Sequence, residues 1–143
     1  MRRITNFLIT KTSKHYHEIV EEGKDRGFIY PAPHVYVYKY EQSNEKEDMK
    51  HVRGRPYNAP CALVRDSLIA SNSIGIMIYC PDEDGVHPDA VILTANIIKL
   101  IADDLGINQF GILTDEVNIE NQIDTLAINA AVSIAPSIFN KRI

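Results

Sequence analysis

The chain has 143 residues, of which 45% are hydrophobic and 24% charged, the proportions of one globular domain with a real core. A formal charge of −4 argues against a general affinity for nucleic acid, which needs a basic footprint. Two cysteines, Cys61 and Cys80, are too few for a disulfide scaffold and read as small buried hydrophobes of a reducing compartment.

No secretory leader is expected, because the apolar run Phe7–Ile9 behind Arg2 and Arg3 is far too short. The longest apolar stretch, Ala90 to Ala102, is broken by Thr94, Asn96 and Lys99. It falls short of the roughly 20 residues a membrane span requires. A single domain over residues 1–143 is expected, carrying a long charged loop at about 43–60.

In chain order, Ile4 to Thr10 fits either a short strand or the first turns of a helix. Thr12 and Ser13 offer an N-cap, and a helix is expected over about 14–22, with Tyr16, Ile19 and Val20 on one face. Gly23 and Gly27 bracket its end. Pro31-Ala32-Pro33 is a rigid extended entry to a strand, His34 to Tyr40, rich in aromatic and β-branched residues. Alternation sends Val35, Val37 and Lys39 to one face, and His34, Tyr36, Tyr38 and Tyr40 to a half-wet surface or interface.

Glu41 to Pro60 reads as one long connection, acidic first (Glu41, Glu45, Glu47, Asp48) and then basic (Lys50, Arg53, Arg55). Long loops inside compact domains are usually functional or mobile. Cys61 to Ile69 is expected as a second strand, turning at Ala70–Ser73. Ile74 to Cys80 is a third, apolar on both faces and therefore central. Pro81 to Gly85 turns the chain.

The strongest helix is predicted at 88–105. Pro88 suits its first position, Asp89 its positive end, and Gly106 its C′ position. Val91, Ala95, Ile98, Ala102 and Leu105 form one stripe; Leu93, Ile97, Leu100 and Ile101 form another. That surplus is covered either within the domain or by a neighbouring subunit. Phe110 to Leu113 is a short apolar run. Asp124 to Ala135 alternates as a strand, although a helix also fits, and Pro136 ends it. The class expected is α+β: a small, mostly antiparallel sheet with one long helix (about 88–105) and a shorter N-terminal helix packed on it.

No catalytic constellation, metal site or cofactor motif is found. His15 and His17 would diverge by about 200° on a helix and match no zinc spacing. Asp82, Glu83, Asp84 and His87 follow a central strand but lack the calcium-loop pattern and read as an acidic turn before a helix. Glycine-rich phosphate loops and a nucleophile elbow are absent. Arg53 and Arg55 can meet an anion bidentately, with Tyr57 beside them as a stacking surface. Arg53, Arg55 and Tyr57 are read either as part of a surface or subunit-contact loop or, alternatively, as a ligand site acting on a nucleotide-like anionic small molecule.

The order of elements carries a family resemblance. Pro33-His34-Val35-Tyr36-Val37 follows the first helix, and an apolar strand, Ile74 to Cys80, ends at Pro81 before the main helix. This pattern, over about residues 13–135, resembles the tail terminator and tail-completion (neck) proteins of long-tailed bacteriophages. The chain departs from it in residues 1–12 and in an extra segment at about 43–70. The resemblance implies a non-enzymatic structural ring, commonly a hexamer, that caps the tail and meets other tail or neck proteins. It would assemble in the host cytoplasm and end in the virion, without direct contact to nucleic acid or membrane. In that role Arg53, Arg55, Leu93, Ile97 and Leu100 are the expected subunit contacts.

Overall fold

The computed structural model describes residues 2–39, 49–81 and 86–114. Among these residues, five strands and three helices follow one another as β1 (Asn6–Thr12), α1 (Tyr16–Asp25), β2 (Val35–Lys39), β3 (Met49–Arg53), α2 (Ser67–Asn72), β4 (Ser73–Tyr79), α3 (Pro88–Leu105) and β5 (Gly111–Thr114). The class is α+β, built on one mixed sheet of order β3-β2-β4-β1-β5.

The expectation of a mostly antiparallel sheet is corrected. β1 pairs in parallel with both β4 and β5, and β2 pairs in parallel with β4; among the described strands only β2–β3 is antiparallel. The cause is connectivity. Each helical crossover returns the chain in its starting direction, so β1-α1-β2 and β4-α3-β5 both deliver parallel strands. The two-sided apolarity of β4 is the local sign of that burial.

The two crossovers run in opposite directions across the sheet, one past β4 and the other past β1. A common handedness therefore places their helices on opposite faces. α3 covers Phe7, Ile9, Val35, Val37, Ile74, Ile76 and Ile78, through Val91, Ala95, Ile98 and Ala102. The other face carries Leu8, Leu113 and Met77 beneath the segment Cys61–Val64. α1 lies on that side, with Ile19 beside Thr10, Leu63 and Met77 and Tyr16 against Tyr36, ring centroids 5.3 Å apart. Burying a side chain such as Ile98 contributes about 1.5–3 kcal/mol, and α3 buries four of that kind, Val91, Ile97, Ile98 and Ile101.

Several local expectations are revised. Cys61 to Ile69 is not a strand: residues 61–64 are buried irregular chain, and Asp66 starts α2 by accepting the Ile69 amide at 3.0 Å. The cap outweighs the β-propensity of a short apolar run. The basic half of the expected loop contains β3, an edge strand whose polar sequence hides it. α1 starts later than predicted, with His15 rather than Thr12 or Ser13 at its N-cap, and Glu18 accepts the His15 amide at 3.0 Å. Gly106 ends α3 in the left-handed conformation, φ 68°, as its C′ reading requires. The proposed strand or helix at 124–135, Tyr40, and the acidic residues 41–48 and 82–84 lie outside the described residues.

Candidate functional site

Arg53 closes β3 opposite Val35, so its side chain leaves on the face covered by α3. Pro56 to Ala59 then turns the chain, Ala59 donating its amide to the Pro56 carbonyl at 3.0 Å. The turn brings Tyr57 back under Arg53, and the guanidinium carbon sits 3.8 Å from the ring centroid. Arg53, Tyr57, His51 and Asp104 surround a cavity of about 330 Å³, walled by Val35, Ile97, Leu100 and Ile101. Among the described residues, no carboxylate or carbonyl engages the Arg53 guanidinium. The ring attracts the guanidinium as a cation, and the N–H groups of an arginine can also meet an anion. Burial raises the Tyr57 phenol pKa, Arg53 opposes this and Asp104 adds to it, so the ring stays protonated at neutral pH.

The structure thus joins two of the three predicted ligand residues and separates the third. Arg55 turns to the other side: its Nε donates to the Pro31 carbonyl at 3.1 Å, and its guanidinium lies 5.3 Å from the Phe28 centroid. It clamps the proline segment to the loop. Of the expected subunit contacts, Ile97 is 5% exposed, Leu93 packs partly against the core, and Leu100 is 68% exposed. The domain itself covers most of the second stripe of α3.

Sequence reasoning missed the group beneath this site. His34, placed on a half-wet face by alternation, is 0% exposed. Its Nδ1 accepts the Gly75 amide at 2.9 Å, which leaves the proton on Nε2 to donate to the Ala59 carbonyl at 2.8 Å. Burial, with help from Arg2, Arg55 and Arg53, lowers its pKa to about 4, against the Ala59 bond. Arg2 ties the same region together, with Nε donating to the Tyr57 carbonyl at 2.9 Å and Nη1 to that of Ser71 at 3.1 Å. The only sequence signal was a histidine leading a strand that alternation alone assigned to the surface.

Two other histidines singled out in the sequence make local contacts. His15 precedes the first turn of α1, so its ring stacks on His17 with centroids 5.9 Å apart instead of diverging. His87 caps α3, its Nδ1 accepting the Asp89 amide at 3.1 Å. Among the described residues no three His, Cys, Asp or Glu side chains converge as a metal site. Nor is any of their helices long and apolar enough to cross a membrane. Burial pushes the Cys61 thiol up to about 11, away from a reactive thiolate.

Fold and site together define a small α+β domain with a cationic, aromatic-lined cavity. Compared with known proteins, the chain matches no protein-family model and no curated sequence.

Proposed function

We propose that this protein binds a small anionic molecule with a flat, nucleotide-like portion in the cavity between β3 and α3. One observation carries the reading: the Arg53 guanidinium carbon lies over the Tyr57 ring, 3.8 Å from its centroid, without an anionic partner among the described residues. A guanidinium held this way loses little further freedom when it meets a phosphate or carboxylate. Val35, Ile97 and Ile101 offer an apolar floor to the flat portion, and Asp104 offers an acceptor for its N–H groups. The cavity of about 330 Å³ is of the size that small ligands occupy. Binding requires no catalytic group, and no turnover chemistry is assigned.

A thermal-shift and calorimetric screen with adenosine, guanosine, cytidine and uridine monophosphates tests this reading. At a hundredfold excess over Kd a ligand stabilises by about 2.7 kcal/mol, and Arg53→Gln should abolish the effect. No stabilisation by any of the four would reject it.

A ring-forming structural role in a bacteriophage tail or neck is the second reading, and one observation favours it. Leu100 and Ile92 of α3 are 68% and 45% exposed, apolar surface that a neighbouring copy would cover. The lone pair is small, because the domain buries Ile97. Sedimentation at low micromolar concentration tests it: a clean monomer removes its physical support.

A further inference from the structure

We infer that a second ligand site lies at the carboxyl end of β1, on the α1 face, and takes a small hydroxylated anion of the sugar-phosphate class. It is independent of the reading above: the Arg53 cavity lies on the α3 face, towards the other end of the strands.

Topology selects the place. β1 and β4 are adjacent and parallel, yet their chains leave for opposite faces, β1 into α1 and β4 into α3. In open sheets of parallel strands, ligands settle outside the carboxyl ends at such a switch point. A cavity of about 250 Å³ is present there, formed by the end of β1, by α1 and by the 61–64 segment. Its volume falls below the roughly 300–1,000 Å³ of drug-sized sites, which limits the ligand to a small metabolite.

A buried polar atom points to a ligand independently. Thr10 lines this cavity and is 2% exposed, and its Oγ1 has no hydrogen-bond partner among the described residues. Leaving a buried hydroxyl unmatched is costly, and native proteins rarely do so without a reason. The charges around it are lopsided. Lys14 and Arg26, the latter at 3.9 Å, both reach the single carboxylate of Glu22. The excess favours an anion, Glu22 can accept from a ligand hydroxyl, and Thr10 can bond a second one. Ile19, Leu63 and Met77 supply apolar contact for a carbon skeleton.

Calorimetric titration of the whole protein with ribose 5-phosphate, glucose 6-phosphate and glycerol 3-phosphate tests the inference, with ribose and inorganic phosphate as controls. At least one sugar phosphate should bind saturably, about tenfold or more tighter than either control. Thr10→Val keeps the shape and removes the hydroxyl. It should weaken that binding about three- to tenfold, the share of one hydrogen bond, while thermal stability is unchanged or raised. Arg53→Gln should leave the binding as it is. The inference is overturned if none of the three binds, or if phosphate alone binds equally well. Loss of the binding in Arg53→Gln would also overturn it, since the ligand then occupies the other cavity. So would a less stable Thr10→Val with unchanged affinity, because the hydroxyl then serves a structural water.

Discussion

His34 and Gly75 hold each other by two hydrogen bonds at the start of neighbouring parallel strands. The His34 amide donates to the Gly75 carbonyl at 2.9 Å, and the Gly75 amide donates to the His34 imidazole at 2.9 Å. The same ring reaches Ala59, two residues beyond Tyr57. The position of the Tyr57 platform thus depends on a pair buried in the sheet.

Gly75 should not tolerate a side chain. A Cβ there would stand 2.7 Å from Leu63 Cδ1 and 2.8 Å from Cys61 Sγ, in a packed layer that cannot retreat freely. Gly75→Ala is expected to destabilise by about 1–3 kcal/mol, as overpacking does. Urea unfolding should show a lower midpoint at an unchanged slope.

Stability should fall on mild acidification because of His34. Its native pKa of about 4 lies below the value near 6.5 of an unfolded histidine. Between these values the unfolded chain binds the proton and the native state does not. The contribution is complete above pH 6.5 and is lost as pH falls to about 4, by about 3 kcal/mol in all. Unfolding measured at pH 7, 5.5 and 4.5 should show this slope in the parent and a smaller one in His34→Gln. Equal slopes would refute the assignment.

Arg53 and Arg55, alike in sequence, should separate by experiment. Arg55→Ala removes the bond to Pro31 and the packing on Phe28, and should cost about 1–2 kcal/mol. Arg53→Ala loses one exposed stacking contact, about 0.5–1 kcal/mol, and all anion binding. Chemical unfolding paired with the nucleotide titration distinguishes the two.

Cys61 should resist alkylation in the native state. Its thiol is buried and pushed up to about 11, so little thiolate exists at pH 8 and reagents lack access. Iodoacetamide followed by peptide mass spectrometry should find Cys61 unmodified until denaturant is added. Rapid labelling of the folded protein would contradict this burial.

If copies of the chain associate through α3, Leu100 is the residue to change. Leu100→Lys replaces an exposed side chain and should leave the fold within about 0.5 kcal/mol of the parent. Sedimentation should then show dissociation of any oligomer seen for the parent. An oligomer unaffected by the change would place the contact elsewhere.

The sequence by itself determined the elements whose signals are local. Pro88, Asp89 and Gly106 bounded α3 because caps and the macrodipole act within one turn. The two-sided apolar run at 74–80 marked a central strand, and the aromatic run after Pro33 marked β2. It also placed Arg53 and Tyr57 in one short segment where they could meet. Tertiary structure decided the rest. Whether strands run parallel depends on where α1 and α3 carry the chain, which no window of residues encodes. Whether Cys61–Val64 forms a strand or a buried lid depended on the space left above Gly75. Alternation put His34 outside and the fold put it at 0% exposure, because the 57–61 turn returns over that face. Arg53 and Arg55 share a residue type and a spacing that would align them on a strand. The backbone leaves β3 between them, so one faces a cavity and the other fastens a loop. These outcomes depend on contacts between segments far apart in the chain, which local propensity does not specify.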